Sequence, residues 1–175
     1  MDKNQFRKDS LIKLKKGAGQ RKYIKDFIVR KEVEKLIEVY KPKSILFYTP
    51  LKTEVNLMPL INKYRKKIDI YLPFIEEKSF KMVKYRLPLK RNNFNVLEPK
   101  NSYFKIKNID MIIVPVVGVD GNFKRVGFGK GMYDRFYEKL KKKPIVIFVQ
   151  RERCFTHKKI TNDYDISADF YITPN

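Results

Sequence analysis

The segment from residue 121 to residue 136, GNFKRVGFGKGMYDRF, combines closely spaced glycines with cationic side chains. Three of its glycines stand at alternate positions: Gly127, Gly129 and Gly131. Glycine tolerates positive φ angles and lets backbone N–H groups approach an anion closely. Arg125 and Lys130 add positive charge to the same short stretch. The segment therefore predicts a phosphate-binding loop.

An acidic residue, Asp134, follows the glycines. If a helix begins at Met132, Asp134 lies in its first turn, where a carboxylate stabilises the helix terminus. Beside bound phosphates the same carboxylate would be a natural magnesium ligand. The loop matches neither the Walker A pattern nor the G-x-G-x-x-G fingerprint, so an ordinary strand-to-helix turn is the alternative interpretation.

The elements that must position this loop follow an alternating pattern. Short apolar runs, several of them apolar on consecutive residues like strands buried on both faces, predict strands at residues 44–48, 68–75, 80–85, 111–117 and 145–149. Helical periodicity predicts helices at residues 2–16, 21–40, 53–66 and 132–143. Residues 84–107, rich in Asn, Pro and Lys, indicate irregular structure with a short strand or hairpin. We predict one α/β domain over residues 1–175, with a mostly parallel central sheet and helices on both faces.

Apolar stripes indicate which face of a helix packs on the sheet. In residues 21–40 the predicted stripe joins Ile24, Phe27, Ile28, Val33, Leu36 and Ile37. In residues 132–143 it joins Tyr133, Phe136, Tyr137 and Leu140.

The composition is that of a folded globular protein. A chain of 175 residues with 43% hydrophobic and 14% aromatic residues can supply one core. The single cysteine, Cys154, cannot form an internal disulfide, and we expect it to be a packed thiol. Because no apolar N-terminal run or transmembrane-length segment occurs, we expect a cytoplasmic protein that does not bind a membrane.

The formal net charge of +21 limits the classes of partner. Nucleic acids bind proteins with such an excess of positive charge, because binding releases counterions, but a cationic cleft also concentrates small polyanions. Much of the surplus is dispersed lysine, whereas bidentate contacts to phosphates and bases favour arginine. We therefore expect small anionic ligands and no specific nucleic acid.

The run from residue 121 to residue 135 resembles the G-x-R-L-G-x-G-x-G-Y-Y-D-R signature of the 5-formyltetrahydrofolate cyclo-ligase family, also called methenyltetrahydrofolate synthetases. Further pieces occur in the family's order. Lys3 and Arg7 are similar to its K-x-x-x-R, residues 48–54 to its Y-x-P-x-x-x-E, and residues 164–173 to its H-D-x-x-x-D-x-x-x-T. The pairs at residues 72–73 and 98–99 match its LP and EP.

This resemblance implies a single-domain α/β enzyme, expected to be a monomer, that uses ATP and magnesium to convert 5-formyltetrahydrofolate into 5,10-methenyltetrahydrofolate. It implies that ATP is bound by Lys3, Arg7, Arg125, Gly127, Gly129, Lys130, Gly131 and Tyr133. Arg125 and Lys130 would also act in catalysis. The folate would be bound by Glu54, Phe128 and Met132, and magnesium by Asp134 and Asp165.

Several of these residues have structural alternatives. Lys3 and Arg7 could be solvated residues of a basic helix, and Asp165 could cap a turn. Glu54 could lie in the first turn of a helix capped by Thr53.

Two positions depart from the family pattern. Met132 stands where the family usually has the first tyrosine of Y-Y-D, and Tyr164 replaces the common histidine before Asp165. These departures keep open a nucleotide- or folate-binding protein without turnover. The charge keeps open a basic RNA-binding protein.

Overall fold

A computed structural model describes residues 2–19, 21–103 and 108–174. Within these ranges lie the helices α1 (Lys3–Gly17), α2 (Lys22–Tyr40), α3 (Met58–Tyr64) and α4 (Met132–Glu138). The strands are β1 (Ser44–Leu46), β2 (Asp69–Glu76), β3 (Ser79–Lys84), β4 (Lys90–Arg91), β5 (Leu97–Glu98), β6 (Met111–Pro115), β7 (Gly118–Val119), β8 (Arg125–Val126), β9 (Ile145–Val149) and β10 (Phe170–Ile172).

The central sheet has the strand order β10–β9–β6–β1–β2–β3. All neighbouring strands in it are parallel except β2 and β3, which form an antiparallel hairpin. Two small hairpins, β4–β5 and β7–β8, lie outside this sheet. Residues 84–103 therefore contain the hairpin that their composition predicts, while residues 104–107 lie outside the described residues.

Helices cover both faces of the sheet because its strands alternate between two apolar layers. In β1, Ile45 belongs to the core under α2 and α3, while Leu46 belongs to the core under α4. Helix α1 packs instead against the β7–β8 hairpin through Phe6 and Leu14. The predicted fold class, a single-domain α/β fold with a mostly parallel sheet, is confirmed.

Two helices are shorter than their predicted ranges. Helix α3 begins at Met58 rather than at residue 53, because Pro59 has no backbone N–H and fits only the first helical turn. Helix α4 ends at Glu138 rather than at residue 143. Its end tightens into a turn in which Leu140 N donates to Tyr137 O, and the residue before Pro144 disfavours helical dihedral angles.

The predicted apolar stripe of α2 is wrong in its first half. Ile24, Phe27 and Ile28 are 59%, 52% and 36% exposed, whereas Val33 and Ile37 are buried as predicted. The inward face instead begins at Asp26, which forms a buried ion pair described below. A helix has one inward stripe, and a stripe that starts at Asp26 turns the three apolar residues outward.

Strand β10 adds an edge to the sheet that the apolar runs did not predict. The other strands of the central sheet agree with the predicted runs, although β1 and β6 end earlier than expected. In the described part of the chain, no helix has both the length and the apolar character needed to span a bilayer.

Candidate active site

The site lies where the loops after β1 and β6 meet. These strands are parallel neighbours in the sheet, so their carboxyl ends share one edge, the usual position of ligand sites in open α/β sheets. The loops, together with β2, β3 and the tip of the β4–β5 hairpin, enclose a cavity of ≈ 310 Å³. Its walls include these predicted site residues: Glu54, Arg125, Phe128, Lys130, Gly131, Met132 and Tyr133.

Arg125 brings a buried positive charge to the cavity. Its side chain comes from β8, its Nε donates a hydrogen bond to Pro115 O at 3.2 Å, and its guanidinium lies 4.8 Å from the Tyr133 ring centroid. Burial lowers the pKa of Arg125, but the ordinary pKa of arginine is so high that the side chain stays charged. Among the described residues it forms no salt bridge. A buried charge without a paired carboxylate is costly, so Arg125 favours an anionic ligand in this cavity.

Glu54 supplies a carboxylate to the same cavity. Its Oε2 accepts a hydrogen bond from Leu51 N at 2.8 Å, and Glu54 N donates to Leu51 O at 3.0 Å. Burial raises the pKa of Glu54 to about 7, against the opposing effects of the Leu51 hydrogen bond and of the positive charges of Arg125 and Arg151. The alternative role in a helix capped by Thr53 is excluded, because α3 begins only at Met58. Glu54 is therefore part of a turn that faces a ligand-sized space.

The glycine loop is shaped by the side chains around it. A Cβ on Gly127 would lie 2.4 Å from Arg125 Nη1, so only glycine leaves room for the buried guanidinium. Gly129 and Gly131 have φ angles of 100° and 60°, in the region that favours glycine. The predicted positive φ angles are therefore found at Gly129 and Gly131, while Gly127 makes room for a guanidinium. Close approach of the loop's backbone N–H groups to an anion stays a prediction.

Two arginines hold this loop from opposite sides. Arg7 on α1 donates from Nε to Gly127 O at 2.8 Å. Arg135 on α4 donates to Lys130 O and also, from Nε at 2.7 Å, to Lys78 O in the β2–β3 turn. Arg7 is therefore not only a solvated surface residue. Arg135 is a positioning residue that the sequence analysis missed, although the Asp-Arg pair of the resemblance contains it.

The β4–β5 hairpin closes the cavity from above the glycine loop. Lys130 Nζ lies 3.9 Å from the ring centroid of Phe94, which stands between β4 and β5. Thr49 Oγ1 ties the hairpin to the β1 loop by donating to Leu97 O at 2.6 Å. Phe94 and Val96 therefore join the cavity wall, and the sequence analysis missed them because the prediction for residues 84–107 went no further than irregular structure with a hairpin.

The two predicted magnesium ligands belong to segments that are joined by a hydrogen bond. Asp134 Oδ1 accepts a hydrogen bond at 3.1 Å from the backbone N of Ile166, the residue that follows Asp165. This bond holds the chain at Asp165 against α4. Asp165 Oδ2 accepts from Lys3 Nζ at 2.5 Å and from Asn162 N at 2.7 Å. Asp165 thus also has the turn-capping role of the alternative interpretation, and Lys3 is an ion-pair partner rather than a free surface residue.

These two carboxylates fit a magnesium ion that is bound mainly by phosphates. No cluster of three or more His, Cys, Asp or Glu side chains suited to a metal occurs in the described ranges. Mg²⁺ is commonly held by one or two carboxylates, with substrate phosphates and water completing its octahedral shell. Asp134 and Asp165, which both attract the charge of Arg125, have the chemistry of such a partial ligand set.

Cys154 lies outside the cavity and behaves as the sequence predicts. Its side chain is buried beside Phe6 and Val126, and burial raises the pKa of its thiol. Thiolate formation is therefore disfavoured, as expected for a packing residue.

The parallel sheet and the cavity at its carboxyl edge are those of an α/β protein that binds small molecules. The profile of the 5-formyltetrahydrofolate cyclo-ligase family matches residues 1–157. The chain belongs to this family, which confirms the resemblance seen in the sequence.

Individual relatives agree with this assignment. A Mycoplasma genitalium protein described as 5-formyltetrahydrofolate cyclo-ligase is 26% identical over 176 residues, which cover 98% of this chain and 98% of that protein. A Mycoplasma pneumoniae protein with the same description is 28% identical over 144 residues, covering 80% of this chain and 79% of that protein. The structure of Aquifex aeolicus 5,10-methenyltetrahydrofolate synthetase superimposes with a TM-score of 0.81 at 26% identity, covering 99% of this chain and 90% of that one.

Proposed function

We propose that the protein catalyses the ATP- and magnesium-dependent cyclisation of 5-formyltetrahydrofolate to 5,10-methenyltetrahydrofolate, with release of ADP and phosphate. The observation that carries this proposal is the cavity, which combines the half-buried carboxylate of Glu54 with the buried guanidinium of Arg125 beside a glycine-rich loop. That guanidinium forms no salt bridge within the described part of the chain. One half of such a cavity suits a heterocycle rich in N–H donors. The other half suits a transferred phosphoryl group.

The folate is proposed to occupy the half formed by Glu54, Phe128 and Met132. A carboxylate can accept two N–H bonds from an amidine-like edge such as that of the pterin ring. The volume of ≈ 310 Å³ lies at the lower end of ligand pockets, so it suits the ring system while the anionic tail extends towards the lysine-rich surface.

ATP is proposed to bind along the glycine loop, with its triphosphate near Arg125, Lys130 and the backbone from residue 127 to residue 131. Lys3 pairs with Asp165 and Arg7 donates to Gly127 O, so both lie near the loop and are proposed to exchange these partners for the outer phosphates when ATP binds. Tyr133 supports this half by packing against Arg125. Magnesium, held by Asp134 and Asp165, would supply charge neutralisation for the transferring phosphoryl group.

The chemistry needs ATP because the formyl group on N5 is amide-like, with a weakly electrophilic carbon. The formyl oxygen attacks the γ-phosphorus, forming an O–P bond while the bond to ADP breaks. N10 then attacks the activated carbon and loses its proton, and the C–O bond breaks as phosphate leaves with the electron pair. Arg125 and Lys130 line the cavity, and their charges are proposed to stabilise the negative charge on the phosphoryl oxygens during both steps.

The decisive experiment is an absorbance assay for methenyltetrahydrofolate, which absorbs in the near ultraviolet where 5-formyltetrahydrofolate does not. We expect the band only when the folate, ATP and magnesium are all present. Folded protein that binds both ligands and forms no band would instead support a binding protein without turnover. Action as a monomer in the cytoplasm, without a specific nucleic-acid or membrane partner, is part of the same proposal.

A further inference from the structure

A buried ion pair links α2 to the loop after β9. Arg151 donates from Nε to Asp26 Oδ1 at 2.8 Å and from Nη2 to Asp26 Oδ2 at 3.0 Å. Both side chains are 4% exposed. Such a bidentate pair fixes the plane of the guanidinium, but a buried pair contributes little net stability because desolvation offsets the attraction.

The same guanidinium also grips the turn that carries Glu54. Arg151 Nη1 donates to Lys52 O at 3.0 Å, and Nη2 donates to Glu54 O. These two carbonyls flank Thr53, so the arginine holds the turn at two points of its backbone. Within the turn, Leu51 N donates to the Glu54 carboxylate at 2.8 Å. The backbone and the side chain of Glu54 are therefore both restrained.

This arrangement matters because the Glu54 turn has no regular secondary structure of its own. It lies between β1 and α3, and its neighbours in the chain make no strand or helix hydrogen bonds there. Glu54 is half-buried, so without restraint its carboxylate would turn towards the nearby water, where its charge is better solvated. The clamp from α2 and the β9 loop opposes that movement.

We propose that Arg151, oriented by Asp26, is a positioning residue that holds Glu54 in the folate-binding wall of the cavity. This inference rests on the proposed function, because it assumes that Glu54 contacts the folate. Arg151 does not line the cavity, so it acts on the folate only through Glu54, whose backbone it holds and whose carboxylate its positive charge favours. A lysine in its place would keep the charge beside Asp26 but lose the planar fork that reaches both carbonyls.

The test uses the full chain and compares Arg151→Lys with the wild type by apparent KM for each substrate. We expect the KM for 5-formyltetrahydrofolate to rise roughly tenfold or more, since a small displacement of a binding group costs about this much, while the KM for ATP changes less than about twofold. Combined with Glu54→Gln, Arg151→Lys should raise the folate KM no further, because the group that it positions is already impaired.

Asp110→Asn is the matched control for general destabilisation. Asp110 accepts hydrogen bonds from Lys43 N, Ser44 N and Ser44 Oγ at the amino end of β1, at the edge of the sheet opposite the cavity. We expect this variant to unfold at a lower temperature and to keep both KM values. Asp26→Asn is the second test variant, and it carries the test if Arg151→Lys does not fold.

An unchanged folate KM in a folded Arg151 or Asp26 variant, or an equal rise in both KM values, would overturn the positioning role. A further rise of the folate KM in the double variant would overturn it too. If the wild type forms no methenyl product, the proposed function fails instead. The clamp is then judged by direct folate binding, which should weaken in Arg151→Lys and stay normal in Asp110→Asn.

Discussion

Glu54 is the residue on which the folate half of the proposal depends. Glu54→Gln keeps the size of the side chain but replaces a charged acceptor with an amide that has only one acceptor oxygen. Losing one charge-assisted hydrogen bond costs about 1.5–3 kcal/mol, so the apparent KM for folate should rise by roughly tenfold to a hundredfold. Steady-state kinetics with each substrate varied in turn measure this. A raised apparent KM for ATP with an unchanged apparent KM for folate would mean that Glu54 contacts ATP instead of the folate.

The same carboxylate should destabilise the protein at alkaline pH. The pKa of Glu54 is raised from 4.5 to about 7 by burial, so between these values the folded state holds a proton that the unfolded state has released. Stability therefore falls as the pH rises through this window and stays low above it. Glu54→Gln removes this cost and should raise the free energy of unfolding by about 1–3 kcal/mol at about pH 8.

Urea denaturation of the wild type and of Glu54→Gln, at about pH 8 and again near pH 4, checks this prediction. The stabilisation should shrink at the lower pH, because the carboxyl group of the wild type is then largely neutral in both states. A pH-independent difference would mean that Glu54 ionises normally in the folded protein.

Substitution of Asp134 distinguishes a structural carboxylate from a metal ligand. Its hydrogen bond from Ile166 N can be kept by an asparagine oxygen, so Asp134→Asn should lose at most about 1 kcal/mol of stability. If Asp134 binds magnesium, however, the neutral amide of Asp134→Asn should lower turnover at least about a hundredfold, with partial recovery in excess magnesium. Turnover is measured across a magnesium titration, with folate binding in the absence of ATP as the control. Wild-type turnover at limiting magnesium would exclude the metal role.

At the scale of elements, we expect the proposed role of the glycine loop to require that Arg125 lies against its backbone. In Gly127→Ala the new Cβ would meet Arg125 Nη1 at 2.4 Å, and the guanidinium is confined by Pro115 O and the Tyr133 ring. We expect turnover to fall at least tenfold or so, because displaced electrostatic groups lose much of their effect on the transition state.

Gly19→Ala is the matched control for this prediction, because a Cβ there would meet no atom within 4 Å. It should leave both turnover and the melting temperature close to those of the wild type. Both variants are compared by the methenyltetrahydrofolate assay after thermal unfolding has established that they fold. Equal turnover in the two variants would mean that the position of Arg125 is not critical.

At the scale of the whole molecule, the net charge of +21 should act through its field rather than through a specific nucleic-acid site. Dispersed lysines bind RNA weakly by counterion release, and such binding decreases steeply with salt. We expect fluorescence anisotropy with a random RNA to detect binding at low salt and almost none at physiological salt. Submicromolar, sequence-selective binding at physiological salt would contradict this prediction and favour the RNA-binding alternative.

The sequence by itself determined those features that depend on neighbours along the chain. Short apolar runs predicted five strands of the central sheet: β1, β2, β3, β6 and β9. Several of these runs are apolar on consecutive residues, as burial on both faces requires. The alternate glycines predicted a loop with positive φ angles, which Gly129 and Gly131 adopt. Pro59 also indicates the true start of α3, whereas the helical periodicity predicted a start at residue 53.

Only the tertiary structure decided which distant groups meet. The residue types of Asp26 and Arg151 contain no sign of their pairing, which lies on the inward face of α2 and from which Arg151 contacts the Glu54 turn. The contact between Lys3 and Asp165 likewise joins residues that lie 162 positions apart in the sequence. Such contacts depend on how helices and loops pack over the sheet, because local propensity acts over a few residues whereas burial and charge pairing act through space.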